Sequence, residues 1–97
     1  MPAYIISDVT IRDREAFEAY RTRAAASIAA HGGRYLVRGG DVETLEGNWK
    51  PGSLIVVEFP DIETARRWYS SDEYAAALEV RDAALGRNLI LVEGVGL

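Results

Sequence analysis

The chain has 97 residues, 48% apolar and 27% charged, a balance that suits one packed domain spanning 1–97 and excludes a disordered chain or two independent cores. Eleven Lys and Arg against fifteen Asp and Glu leave a net charge of −4, which argues against a non-specific binder of nucleic acid or anionic membrane. There is no cysteine, hence no disulfide frame or thiolate site, and the longest apolar run, Tyr74 to Leu78, is five residues, far short of a bilayer span.

The chain begins Met-Pro-Ala-Tyr, with Asp8 and Arg12 close behind. This lacks the basic start and apolar stretch of a secretion signal, so a cytoplasmic location is expected. Residues 3–9 (AYIISDV) are β-branched and aromatic enough for a strand. Asp13 stands where an N-cap belongs and Glu15 in the positive first turn of a helix. Phe17, Tyr20, Ala24, Ile28 and His31 recur at helical spacing, and Gly32-Gly33 supplies the stop. Residues 34–38 (RYLVR) read as a second strand, broken by Gly39-Gly40 with a bulge or bend, and 42–46 are a candidate continuation. After the turn cluster NWKPG (48–52), residues 54–59 (LIVVEF) form the clearest strand. Pro60 ends it, and Asp61 caps a short helix carrying Ile62, Ala65, Trp68 and Tyr69. A capping box from Ser70 to Glu73 starts a further helix, striped by Tyr74, Leu78 and Leu85 and closed by Gly86. Residues 88–93 (NLILVE) are the last strand.

This order, with right-handed crossovers, predicts an α+β chain: a ferredoxin-like βαββαβ fold whose four-stranded antiparallel sheet carries its helices on one face. The other face is not polar. Ile55, Val57 and Phe59 alternate with Leu54, Val56 and Glu58; Ile90 and Val92 with Leu89, Leu91 and Glu93; Ile5 and Val9 with Tyr4, Ile6 and Asp8. Leaving Ile6, Leu54, Val56, Leu89 and Leu91 in water would forfeit roughly 1.5–3 kcal/mol each, a total comparable with a domain's whole stability of about 5–15 kcal/mol. The open face is therefore expected to pair with a second copy, sheet to sheet.

The stretch Gly32 to Gly40 (GGRYLVRGG), then Leu45-Glu46-Gly47, Glu58-Phe59-Pro60, Trp68 to Tyr74 (WYSSDEY), Arg81-Asp82-Ala83 and Glu93-Gly94, resembles the uncharacterised bacterial family called domain of unknown function 1330. The resemblance runs over nearly the whole chain, in order and spacing. It implies membership of the dimeric α/β-barrel superfamily and a back-to-back homodimer. It implies no activity, since the superfamily spans cofactor-free monooxygenases, lactone isomerases, haem-handling enzymes and ligand-sensing domains.

Candidate site residues follow from the inward stripes. Arg81 falls at helical spacing with Tyr74, Leu78 and Leu85, so it is predicted to face the sheet. A guanidinium there needs an acid, a carbonyl or a bound carboxylate or enolate as partner. Tyr20, Tyr35, Trp68, Tyr69 and Tyr74 have polar tips and lie on or beside the inward faces, where they either line a ligand pocket or fill the core. His31, the single histidine, is a general base, an axial haem ligand or a helix C-cap. Asp8 and Arg38 are expected at one end of the open face, Glu58, Glu93 and Arg34 at the other, as rim ion pairs or as holders of a proton or cation. Trp49 sits in the loop after Gly40, to anchor a partner or pack across the dimer.

No G-x-S-x-G, G-x-G-x-x-G, P-loop, H-x-H or H-E-x-x-H pattern occurs, and the ten arginines form no basic stripe. No cofactor, metal, nucleic acid or membrane is therefore expected. The reading is a homodimer that binds a small carboxylated or phenolic molecule between helices and sheet. The alternative is a cofactor-free enzyme of isomerase or monooxygenase type, with His31, Arg38 and Arg81 as catalytic candidates.

Overall fold

The computed structural model describes residues 1–96. Strand β1 (Ala3–Ile11) leads into helix α1 (Arg14–Ala30), followed by β2 (Arg34–Arg38), β3 (Ser53–Phe59), α2 (Ile62–Tyr69), α3 (Asp72–Ala84) and β4 (Leu85–Glu93). The sheet order is β2-β3-β1-β4 with every neighbouring pair antiparallel, the predicted ferredoxin-like arrangement. Asp13 caps α1 by accepting the Glu15 N–H. The other end closes in a Schellman turn: Gly32, at φ 74°, donates to Ala29 and Gly33 donates to Ile28.

Four local expectations are corrected. Ser71, not Ser70, caps α3, because its hydroxyl takes the Tyr74 N–H while Ser70 closes α2. The segment 42–46 forms no strand. The bulge lies at Leu36, between Tyr35 and Val37, rather than at Gly39-Gly40. Gly86 does not end the last helix. The chain turns extended at Leu85 (φ −160°, ψ 160°), and Gly86 and Arg87 are already paired strand residues opposite Thr10 and Val9.

Register decides what each face carries. Under the helices, Arg38, Ile55, Ser7 and Leu89 form one cross-strand row, and Tyr35, Val57, Ile5 and Leu91 the next. Beyond the Ser7 row lies the set Val9 and Arg87, with Ser53 on the other side of Val9. Leu89 and Leu91 thus face the helices, contrary to the sequence reading. The open face instead carries the row Val37, Val56, Ile6 and Ile90, flanked by Val92, Tyr4 and Leu54. Ile90 and Val92 are 56% and 42% exposed. Glu93, opposite Ala3, shares the helix-side parity, and the bulge moves Arg38 there too. Of the predicted rim charges, Asp8, Glu58 and Arg34 keep the open-face parity. Arg34 Nε donates to Glu58 Oε1 at 2.7 Å, and Asp8 accepts from Trp49 Nε1 and the Gly52 N–H, each at 2.9 Å. No helix among the described residues is long and apolar enough to cross a membrane.

Candidate functional site

Between α1 and the sheet lies a cavity of about 220 Å³. Its floor is the helix-side row of β1 and β3 with Ser7 in the middle; Phe17, Tyr20 and Ala24 of α1 and Trp68 of α2 form walls, and Tyr35, Arg38 and Arg87 also line it. A cavity of about 150 Å³ accepts a benzene ring, so this one has room for a single ring bearing a small polar group.

Its chemistry centres on three side chains brought from three elements. The Tyr20 hydroxyl on α1 and the Tyr74 hydroxyl on α3 are 2.7 Å apart. Arg87 on β4 donates through Nη1 to Tyr20 at 2.5 Å and through Nη2 to Tyr74 at 2.6 Å. Proton accounting then leaves one hydroxyl hydrogen over. Two guanidinium hydrogens and one phenol hydrogen fill the contacts within the triad, so the second phenol donates outward. Tyr74 is 0% exposed and does not line the cavity, whereas Tyr20 does. Either phenol can donate across the 2.7 Å contact, and only Tyr20 lines the cavity, so a ligand there meets the Tyr20 hydroxyl. Among the described residues no carboxylate pairs with Arg87.

The electrostatics are cationic. Arg14, Arg21, Arg38 and Arg87 line the cavity against a single carboxylate, Glu18, in a chain whose net charge is −4. Glu18 is partly engaged by Arg21 at 3.5 Å. Burial, with the Tyr20 phenol beside it, pushes the Tyr74 phenol far above its ordinary value. Burial also raises Tyr35, against the opposing pull of Arg38 and Arg21. For Arg87, burial works against the charge, but the two phenol oxygens more than offset it and hold the guanidinium above its usual value. The Tyr74 and Tyr35 phenols are thus hydrogen donors at neutral pH. The Ser7 hydroxyl, in a residue only 5% exposed, has no hydrogen-bond partner.

The predicted residues divide. Tyr20, Tyr35, Trp68 and Arg38 line the cavity. Tyr74 stands behind Tyr20, its ring centroid 4.2 Å from that of Trp68 and tilted by 37°; Trp68 Nε1 donates to Ser27 Oγ at 2.9 Å. The Arg38 guanidinium lies over the Tyr35 ring, 4.3 Å from its centroid. Tyr69 is on the outer side, half-exposed. Arg81 does not reach the cavity. It sits in the last turn of α3, partly exposed, and its Nε lies 3.2 Å from the adjacent Asp82 carboxylate. His31 is the C-cap of α1, its Nδ1 3.0 Å from the Ser27 carbonyl, and does not line the cavity. The sequence reading missed Arg87 and Ser7. Their signal was strand alternation: Arg87 precedes Leu89 and Leu91 by two and four residues, and Ser7 follows Ile5 by two. No group of three His, Asp or Glu side chains gathers as a metal-ligand set among the described residues.

Comparison with known proteins agrees with this fold. The family model described as domain of unknown function (DUF1330) matches residues 2–95, and the chain belongs to that family. No curated protein matches the chain. Among solved structures it is similar to a protein of unknown function from Rhodopseudomonas palustris, at 20% identity and TM-score 0.78, covering 99% of this chain and 84% of that one. It is similar to SnoaB, a cofactor-independent oxygenase from Streptomyces nogalater, at 16% identity and TM-score 0.67, covering 99% and 95%. It is also similar to a dimeric protein of unknown function and ferredoxin-like fold from Bacteroides fragilis, at 15% identity and TM-score 0.60, covering 96% of each.

Proposed function

We propose that this DUF1330 chain is a single-domain cytoplasmic homodimer that binds a compact anion, a ring carboxylate or phenolate, in the cavity between α1 and the sheet. The observation that carries the reading is the surplus of donors. The Tyr20 hydroxyl, an unpartnered Ser7 hydroxyl and the Arg87 guanidinium belong to residues lining one cavity whose single carboxylate is already shared with Arg21. Polar hydrogens buried without acceptors cost free energy, and an oxyanion on an apolar ring would accept them all while its ring meets Phe17, Leu89 and Trp68. Pairing through the open face is supported by the apolar row Val37, Val56, Ile6 and Ile90 and by the dimeric relative of the same fold.

A second reading is a cofactor-free enzyme, favoured by the Tyr20–Tyr74–Arg87 contact, which would donate a proton to, or hold, an enolate oxygen. The fold likeness to a cofactor-independent oxygenase is in keeping with it. Binding is preferred because the cavity is rich in donors and offers only the rim carboxylate Glu18 as a base.

The test is calorimetric titration with benzoate and salicylate, beside native mass spectrometry of freshly purified protein. Saturable binding, weakened roughly tenfold or more by Tyr20→Phe, supports the reading, since hydrogen bonds to a charged group contribute about 1.5–3 kcal/mol. Absence of any retained molecule together with no benzoate or salicylate binding defeats it. Turnover of a bound probe would instead select the enzyme.

A further inference from the structure

A second hollow of about 340 Å³ opens beside β4, lined by Arg12, Tyr69, Arg81, Asp82, Gly86 and Arg87. It is distinct from the α1 cavity. Tyr20 and Ser7 line only the first, Arg12 and Arg81 only the second, while Arg87 and Leu89 wall both.

Three guanidinium groups therefore meet one carboxylate. That carboxylate, on Asp82, is 89% exposed and contacts only the neighbouring Arg81, so solvent screens it and it discharges the hollow little. Arg12 is fixed without being neutralised. Its Nη1 donates to the Asp82 carbonyl at 3.0 Å, and its N–H donates to the Ala84 carbonyl at 2.8 Å. The helix-end carbonyls, which would repel an anion, are in this way already occupied: Ala84 also accepts from Asp13, and Arg81 from Leu85. Gly86 completes the seat. A Cβ there would stand 3.0 Å from Arg12 Nη2, so the bare backbone lets that guanidinium lie against β4. Two positive charges remain uncompensated, held by the β1–α1 and α3–β4 junctions.

We propose that this hollow is a second binding site, for a dianionic phosphoryl group, with Arg12 and Arg81 as its side-chain ligands and Arg87 as its back wall. Guanidinium forks suit tetrahedral oxyanions, which take two donors from each. The half-exposed Tyr69 ring at the rim offers a surface for an organic substituent. The phosphoryl group belongs either to free phosphate or to a small phosphate monoester. Apart from the shared Arg87 and Leu89 walls, the site uses no residue of the first cavity.

The experiment titrates the full chain at low salt with inorganic phosphate and, separately, with phenyl phosphate, following binding by calorimetry. Saturation by at least one probe is expected, with Arg81→Gln weakening it roughly tenfold or more. Ser7→Ala, which removes from the first cavity a hydroxyl that has no hydrogen-bond partner, leaves it unchanged. Tighter phenyl phosphate than phosphate identifies the monoester as the ligand class, and equal affinities identify the free ion. Arg81→Gln that melts like the parent yet binds phosphate equally well overturns the proposal. So does phosphate binding lost in Ser7→Ala and kept in Arg81→Gln, or no saturation by either probe.

Discussion

Replacing Arg87 by methionine distinguishes a side chain kept for a ligand from one kept for the fold. The guanidinium is half-buried against the Tyr20 and Tyr74 phenols and has no carboxylate among the described residues. Taking a charge out of water costs several kcal/mol, and each hydrogen bond to a charged group returns about 1.5–3 kcal/mol. The two phenol contacts therefore offset the desolvation cost without much surplus. Methionine has similar length, removes the charge, and leaves Tyr20 and Tyr74 bonded to each other at 2.7 Å. The expected change in unfolding free energy is within about 1–2 kcal/mol of zero, well short of the roughly 3–5 kcal/mol seen when a buried ion pair is broken. Benzoate affinity is expected to fall roughly tenfold to a hundredfold, because a charge-assisted contact to the ligand is lost. Urea unfolding at fixed protein concentration gives the first quantity and calorimetry the second. A loss above about 3 kcal/mol with benzoate affinity intact would refute the reasoning, since Arg87 would then be a structural clamp.

Ser7→Ala is expected to stabilise the ligand-free protein by about 1 kcal/mol, because an unpartnered buried hydroxyl costs about 1–3 kcal/mol. The melting temperature should rise by several degrees while benzoate binds more weakly; a lower melting temperature would mean that the hydroxyl has a structural partner. Ile6→Lys places a charge in the middle of the Val37, Val56, Ile6 and Ile90 row, where pairing would bring two such charges together. Sedimentation should show monomer at micromolar concentration, and an undiminished dimer would exclude this face as the interface. The raised phenols of Tyr74 and Tyr35 link folding to alkaline pH. Groups whose folded pKa lies above the unfolded value of about 10 contribute stability that is complete below that pH and is lost as pH climbs beyond it. Urea midpoints should hold level to about pH 9 and then fall, with part of the phenolate absorbance appearing only on unfolding, and Tyr74→Phe should flatten that decline.

The order of elements was legible because each boundary has its own chemistry: Asp13 and Asp61 as caps, Gly32-Gly33 as a stop, and LIVVEF as a β-branched run. Face assignment in β4 was not. Leu89, Ile90, Leu91 and Val92 are all apolar, so alternation within them carries no sign. Only the pairing of Ile6 with Ile90 and Ile5 with Leu91 breaks the tie. The same blindness affected β2, where a bulge at Leu36 swaps the parity of Arg38 relative to Arg34, and nothing local in RYLVR announces it.

The candidate site shows the same division. Tyr20 and Tyr74 were recoverable from helical stripes, because a residue's face on a helix depends only on its own segment. Their partner depends on the topology. Arg87 meets them because β4 lies beside β1 and begins within one residue of the end of α3, whereas a sequence pass reads Leu85-Gly86-Arg87 as a helix stop. Arg81 was the tempting choice for the inward cation, yet in the last turn its flexible stem can carry the charge outward, and its Nε lies beside the exposed Asp82 carboxylate. Arg87, paired with Val9 and bonded to Tyr20 of α1 and Tyr74 of α3, has less freedom to escape. The cation best placed to grip a ligand here is therefore the one that backbone pairing holds in place.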